Sequence, residues 1–584
     1  MIRRLQSLTL VCLAAFAVIC LRLVHLQLIQ GSHYRHLAER NRMRVIPEPP
    51  PRGLILDRGG RILAGGQQVF QVAVVPQEAE DLDRLLAELS LLLDRPVAEL
   101  TRRFRRERSL VFMPAAVVPR VSRSIALRLE EERWRLPGLV VRPVAARRYP
   151  YGEAGAHLLG YLSQPTEEDL PRLKQFGFRA TYLIGRTGLE RAMDDVLRGE
   201  PGGSVVEVDH RARQVRVVTQ RAPKPGQSVT LTFDAGLASL VHAAFGEQPG
   251  ACAIVDPSNG AVLATASVPS FDPEAFAVSD SDRIRVYLDD PRSPLLDRSL
   301  WGRYTPGSIA KVLTAGAALE RGIVDPRTIL SCAGKVRIGD RDIHCWNRDG
   351  HGPLTLPDAL MVSCNAYFIQ VGRRLGLGPL LEAFTRGGLG AAPAWTLGGA
   401  SGHLPERRMT EGEVAMLAMG QGEILVTPMQ MAMVASAIAN GGTVFAPWVI
   451  DSIDGRPAAR PGPAGRLGWT PQTLDAVRAG MQAAVASTSG TGHRAVSPHV
   501  SIAGKTGTAQ THRPDETHGW FIGYCPADEP RAALAVVAEF GGSGGDLPSE
   551  VARTVCEYLM AAHAPARAGG APPERIDAPA GQAP

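Results

Sequence analysis

The sequence predicts an α+β protein with two folded regions behind one membrane-spanning helix. Three observations carry this reading: an apolar run at the N-terminus, a proline- and glycine-marked break near residue 225, and helical and strand-like patterns mixed along both regions. A chain of 584 residues also exceeds what one hydrophobic core organises, so more than one domain is required.

In chain order, Leu8 to Leu21 carries no charge, and Leu23 to Ile29 continues the run with only His25 and Gln27 polar. With Arg22 snorkelling, residues 8–29 can span a bilayer and leave 1–7 as a short cytoplasmic N-terminus. A cleaved signal peptide is the rival, since Ala15-Phe16-Ala17 offers small residues. Arg35, Arg40, Arg42 and Arg44 outnumber Arg3 and Arg4, against the positive-inside rule, but long domains translocate largely regardless of flanking charge. The first region, 30–225, begins with a proline-stiffened stretch and a short strand broken by the turn Asp57-Arg58-Gly59-Gly60. Residues near 77 to 135 have helical spacing, and TRRFRRERS at 101–109 reads as a solvated helix face rather than an anion patch. After the linker-like APKPGQ at 222–227, the region 226–562 opens with the strands VTLTFD and ACAIVDPSNGAVLATAS, the latter a hairpin around Ser258-Asn259-Gly260. The tail 563–584 is Ala, Pro and Gly with few large apolar groups and is expected to be disordered.

Composition narrows function. A net charge of +6 gives no support for a nucleic-acid partner. At 45% hydrophobic and 21% charged, the chain is neither wholly disordered nor a multi-span membrane protein. Lysine occurs only at Lys174, Lys224, Lys311, Lys335 and Lys505, so a motif that demands lysine is rarely met by chance.

Two of those five fall in an ordered set of motifs: Ser308-Ile309-Ala310-Lys311, Ser363-Cys364-Asn365 and Lys505-Thr506-Gly507-Thr508. Pro306-Gly307 precedes SIAKVLTAGAALERG, whose apolar spacing predicts a helix from Ser308 to a stop at Gly322, with Gly316 allowing a close neighbour. Spacing i to i+3 puts Ser308 and Lys311 on one face, so a desolvated, neutral lysine could take the hydroxyl proton during nucleophilic attack. Lys505 ends the strand-like VSIAGK, with WFIGY and AALAVVAEF as antiparallel neighbours around the turn Pro526 to Pro530. A peptide along that edge would meet Lys505 and the hydroxyls of Thr506 and Thr508 at its carboxylate, while Gly507 allows close approach. Backbone N–H groups of Ser308 and Thr508 are the expected oxyanion donors, and Ser363 and Asn365 can shuttle a proton and hold an amide.

Cys332, Cys345, His351 and Cys364, spaced C-x12-C-x5-H-x12-C, form a second constellation. Its donors suit tetrahedral zinc. A Cys332–Cys345 disulfide and isolated buried thiols are the alternatives. Cys12, Cys20, Cys252, Cys525 and Cys556 sit in apolar or isolated contexts that suggest packing.

The three motifs in this order are shared by penicillin-recognising serine acyl enzymes. With RYTPGSIAK, IAGKTGTAQ, HGWFIGY, GQGEILVTPMQ, PPRGLILDRGGRILA, YPYGEAGAHLLGYL and GRTGLERAMDDVLRGEPG, the chain resembles the class B penicillin-binding proteins over nearly its whole length, specifically the penicillin-binding protein 2 subgroup of the elongation machinery. Thr305 departs from the family's usual proline, and AAPAWTLGGASGHLPE at 391–406 matches its pattern poorly. The resemblance implies a penicillin-binding transpeptidase fold, with an antiparallel sheet between helices, over 226–562. It also implies a pedestal, or dimerisation-type, domain over 30–225 and a single-pass anchor in the inner membrane with the catalytic part on the periplasmic side.

The activity implied is D,D-transpeptidation of peptidoglycan pentapeptide stems through an acyl enzyme at Ser308, blocked by β-lactams. The catalytic set carried over is Ser308, Lys311, Ser363, Asn365 and Lys505, with Thr506, Gly507 and Thr508 binding substrate. No organic cofactor is implied. Some members carry zinc beside the SxN motif, which favours zinc at the cysteine and histidine set. No glycosyltransferase domain fits before residue 225, so the resemblance implies a SEDS glycosyltransferase of the RodA type as partner, with MreC as a second contact. A β-lactamase is the first rival, but no Glu-x-x-Leu-Asn element is present to activate water. A β-lactam sensor and a septal class B transpeptidase are the others. The cysteine and histidine set resembles the elongation subgroup.

Overall fold

The computed structural model describes residues 2–34, 42–108, 113–169, 171, 182–209, 214–511, 513 and 516–563. The tail from 564 on, with Arg35, Arg40 and Ser109, lies outside them. The first helix, Ile2–Val24, runs into a π turn at His25–Ile29. Its Leu8–Ile29 stretch has a mean hydropathy of 2.3 and no residue buried against the protein. A helix this apolar and this unpacked fits a single-pass membrane anchor.

In the first region the long strand Ile62–Val74 is the spine. It pairs antiparallel with Leu139–Arg148 along most of its length and with Ala115–Val121 on its other edge. Helices Leu82–Leu93, Val97–Glu107 and Arg123–Glu131 bury Leu85, Leu86, Leu89, Leu100, Phe104 and Leu129 in one small core. Helical spacing between 77 and 135 therefore holds for three helices but not for Ala115–Val121, a strand whose β-branched Val117, Val118 and Val121 are all buried. Arg102, Arg105 and Arg106 face solvent, as expected of the arginine-rich segment.

The linker-like stretch at 222–227 is a packed crossing. Lys224 and Glu200 exchange backbone hydrogen bonds, and the Gly226 N–H donates to Pro51 O at 2.9 Å. A sheet then runs through both regions: Ile55–Leu56 lies parallel to Val229–Leu231, which pairs on its other side with Ile450–Ile453. The turn after Leu56 is bolted down too. Asp57 is fully buried and accepts from Arg61 Nε at 2.7 Å, and Arg61 reaches Asp234, the N-cap of helix Ala235–Phe245, at 3.0 Å.

Five antiparallel strands form the centre of the second region, in the order Val262–Val268, Gly250–Val255, Ala532–Ala538, Thr517–Cys525, Ala503–Gln510. The first two are joined by the expected hairpin, closed by the Gly260 N–H donating to Asp256 O at 2.8 Å. The wholly buried helix Pro428–Ala439 packs on this sheet, as do helices Ala235–Phe245 and Leu547–His563. One expectation fails here: Cys525 and Cys556 do not merely pack but form a disulfide between the sheet and the last helix, with Cα atoms 6.0 Å apart. Both thiols are buried, and no local spacing relates a strand end to a helix 31 residues later. Cys252 remains a buried free thiol, while Cys12 and Cys20 are exposed on the apolar helix.

Candidate active site

Ser308 does not open an α-helix directly. Residues Gly307–Ala310 form a 3-10 turn, and the α-helix runs from Lys311 to Glu320. Gly307 has φ +57°, and a Cβ there would stand 2.6 Å from Thr508 O, so the turn can lie against the Lys505 strand only as glycine. The partner that Gly316 admits is the Trp469 ring. Ser308 is half-buried, three residues before a Lys311 with no exposed surface.

Lys311 reaches the second motif. Its Nζ donates to Asn365 Oδ1 at 2.7 Å and to Ser363 O at 2.9 Å, and lies 3.5 Å from Ser363 Oγ. Helix Leu356–Met361, started by a Thr355–Asp358 capping box, ends just before Ser363, and helix Asn365–Leu375 begins just after it. The intervening turn holds Ser363 at φ +54°, a left-handed conformation that costs a non-glycine residue about 1 kcal/mol or more. Burial lowers the Lys311 pKa to about 8, against the raising pull of Cys364 and Cys345.

Lys505 is also fully buried, its Nζ donating to Thr506 O at 2.8 Å. Burial, reinforced by Lys311, holds its pKa well below the ordinary lysine value. The strand Ala503–Gln510 is the outer strand of the five, so its free edge is open to an extended peptide. Gly507 faces the Ser308 turn, Thr508 is exposed, and the Thr506 hydroxyl donates to Thr491 Oγ1 at 2.5 Å.

The four predicted ligands also meet. The donor atoms of Cys332, Cys345, His351 and Cys364 all lie within 4.8 Å of one another. Cys332 Sγ and Cys345 Sγ are each 3.5 Å from His351 Nδ1, and Cys345 Sγ is 4.0 Å from Cys364 Sγ. Zinc at ~2.3 Å from sulfur and ~2.0 Å from nitrogen needs tetrahedral edges of about 3.5–3.8 Å, so the donor set fits. Cys332 and Cys345 are not joined to each other. Cys364 is also the N-cap of helix Asn365–Leu375, its sulfur accepting from Tyr367 N at 3.4 Å.

Three neighbours had no local signal. Thr491 holds Thr506; the Gln421 amide donates to Thr508 O at 3.2 Å; and the indole N–H of exposed Trp346 donates to Val362 O, next to Ser363, at 3.0 Å. Each comes from a segment far from its motif. Only GQGEILVTPMQ, which contains Gln421, stood out in the sequence, and with no role attached.

Both regions are similar to known proteins. The penicillin binding protein transpeptidase domain model matches residues 250–557, and the penicillin-binding protein dimerisation domain model matches 47–231. The peptidoglycan D,D-transpeptidase MrdA of Acinetobacter baumannii is 30% identical, over 95% of this chain and 86% of its own. The MrdA of Haemophilus influenzae is 30% identical over 93% and 89%. Among solved structures, one described as structural coordination of polymerization and crosslinking by a peptidoglycan synthase complex covers 97% of this chain and 99% of its own, at TM-score 0.73 and 28% identity. Penicillin-binding protein 2 of Helicobacter pylori, solved in complex with MreC, shares the fold at TM-score 0.77 and 23% identity, over 89% of this chain and 99% of its own. The chain belongs to the penicillin-binding protein transpeptidases, with the family's dimerisation domain ahead of its catalytic domain.

Proposed function

We propose that this chain is a membrane-anchored, serine-type peptidoglycan D,D-transpeptidase that cross-links stem peptides during cell-wall elongation and is acylated by β-lactams at the same serine. The observation that carries it is Lys311, buried without a carboxylate partner among the described residues and held between the Ser308 turn and the Ser363–Asn365 turn. Neutral Lys311 takes the Ser308 Oγ proton as the oxygen attacks the penultimate carbonyl of a pentapeptide stem. The N–H groups of Ser308 and Thr508 meet the developing oxyanion. Ser363 passes the proton to the departing D-alanine, and an amine from a neighbouring stem then resolves the acyl enzyme by the reverse route. Lys505, with Thr506 and Thr508, draws the stem's terminal carboxylate to the free strand edge, and Gly507 keeps that edge low.

Cys332, Cys345, His351 and Cys364 would hold zinc, which when bound supplies a structural cross-link and no reactive group. Since Cys364 stands between Ser363 and Asn365, those four side chains fix the turn that Lys311 contacts. The Cys525–Cys556 disulfide supports a catalytic domain on the oxidising, periplasmic side of the anchor. The names of the MrdA relatives support the elongation role. The solved synthase complex and the Helicobacter pylori complex support partners of the RodA-type glycosyltransferase and MreC kind.

The test is to label membranes containing the full chain with a fluorescent penicillin and to map the adduct by mass spectrometry. Ser308 is the expected site; an adduct on another residue refutes the mechanism.

A further inference from the structure

The strand that carries Lys505 belongs to a sheet held on both faces. In the neighbouring strand Thr517–Cys525, the Trp520 indole N–H donates to Thr305 O at 3.1 Å, so Trp520 points to the nucleophile side. Side chains alternate along a strand. Cys525, of opposite parity, is bonded to Cys556 on the C-terminal helix Leu547–His563, so that helix grips the other face. Gly507 pairs with Trp520 and faces the nucleophile turn, where a Cβ would stand 3.0 Å from both Pro306 O and Ile309 Cγ2.

Behind the same pair lies the loop that leads into the C-terminal helix. A Cβ on Gly544 would stand 2.9 Å from Gly507 N and closer still to Gly507 O and Trp520 O. All three are backbone atoms of paired strands, so none can yield unless the strand moves. Gly519 repeats the contact from the sheet side, with a Cβ there 2.9 Å from Ser543 O. The loop is held in place. Ser549, fully buried, donates to Gly544 O at 2.8 Å, and Arg494 pairs with Asp546 at 3.2 Å and with Glu550 at 3.1 Å.

We propose that Gly544 and Ser549 are positioning residues for the Lys505–Thr508 segment, setting its height from the face opposite Ser308. The C-terminal helix thereby decides where the Thr508 N–H and the Lys505 amine stand relative to the nucleophile. This rests on the reading of Ser308 as nucleophile and of the Lys505 strand as substrate-binding. Between Gly544 on one side and Pro306 and Ile309 on the other, Gly507 has no slack in either direction. A side chain at 544 pushes it toward the nucleophile turn, and a displacement of about 1 Å in such a site costs roughly 100-fold in rate.

The test uses the full chain in detergent and a fluorescent penicillin, with single-turnover acylation measured across penicillin concentrations. The burst amplitude gives the folded fraction, and the saturating rate separates chemistry from non-covalent binding. Gly544→Ala is expected to lower the saturating rate about 100-fold, with little change in the half-saturating concentration. Ser549→Ala is expected to lower it about fivefold, the worth of one hydrogen bond, at unchanged amplitude. A loop that only stabilises the fold would lower amplitude and melting temperature and leave the rate of the folded fraction at the wild-type value; that result overturns the proposal. If Gly544→Ala does not fold, Ser549→Ala decides alone, and a wild-type rate there overturns it. A wild-type chain that is not acylated at Ser308 defeats the underlying reading instead, before either variant is measured.

Discussion

Two buried clusters of charged side chains, one on each side of residue 225, solve the same problem in opposite ways. In the N-terminal region Glu190 has no exposed surface, yet both its oxygens are met: Arg147 Nε at 2.7 Å and the Tyr149 hydroxyl at 3.2 Å on one, Arg52 Nε at 2.7 Å on the other. Asp194 takes a second Arg52 nitrogen at 2.8 Å. Burial alone would push the Glu190 carboxyl up, but Arg147 and Arg52 together hold it below its ordinary value. In the catalytic region Lys311 and Lys505 are equally buried and face carbonyls, an amide and each other. Paired charge stays charged and binds the fold together, whereas unpaired cations are driven toward neutrality and become reactive.

The sharpest way to break that contrast is to force a permanent charge into the second cluster. Lys311→Arg cannot become a base, so penicillin acylation should fall about 10,000-fold, the upper range of what a positioned base contributes, while thermal melting shows a folded protein. Acylation near the wild-type rate would remove Lys311 from its role. The converse change in the first cluster, Glu190→Ala, leaves two buried guanidiniums without their main counter-ion. It should cost about 3–5 kcal/mol in denaturant unfolding, while the folded fraction still acylates normally.

Between these extremes stands the Cys332–Cys345–His351–Cys364 set, where structure and reactivity meet. Cys345→Ser, or a chelator without reductant, should lower melting temperature and acylation together, the latter by up to roughly 100-fold through the Ser363 turn. Elemental analysis should find one zinc per chain. Insensitivity to chelator together with loss on reduction would point to disulfide chemistry.

The smallest effect is a pH dependence. A folded-state Lys311 pKa of about 8 means that the neutral base is scarce below that pH and plentiful above it. The acylation rate should therefore rise about tenfold from pH 7 to a plateau above pH 8. Burial of the amine keeps the midpoint low, while Cys364 and Cys345 pull it upward. A flat profile between pH 6 and 9 would assign the proton transfer elsewhere.

The proposed chemistry was legible in the sequence where it needs residues close along the chain. Ser308 and Lys311 must share one turn, and Ser363 and Asn365 must flank one bend, so their spacing announces them; two of only five lysines in the right slots made the pattern specific. Contacts made across the fold leave no such trace. Nothing in RGLILDRGGR says that Asp57 and Arg61 lock onto Asp234, and nothing local links Cys525 to Cys556 or Gly544 to Gly507. The 3-10 start at Gly307 and the strand at Ala115–Val121 were missed for a related reason. Packing against the Lys505 strand and against Ile62–Val74 overrides the helical pattern of each segment.

The sheet that joins residues 55, 229 and 453 has a consequence for how the chain is made. During synthesis the strand at 55 emerges long before its neighbour at 229, and 453 comes later still. Pairings this distant close slowly, because the intervening chain must be ordered before they form. Until residue 453 has been made, the edge of Val229–Leu231 that it will cover stays open to any other strand. Chaperones therefore have a defined window in which to act. A truncation that removes Ile450–Ile453 should harm the N-terminal region as well as the catalytic one, because the hairpin at Asp57 is seated on a sheet that would then remain unfinished.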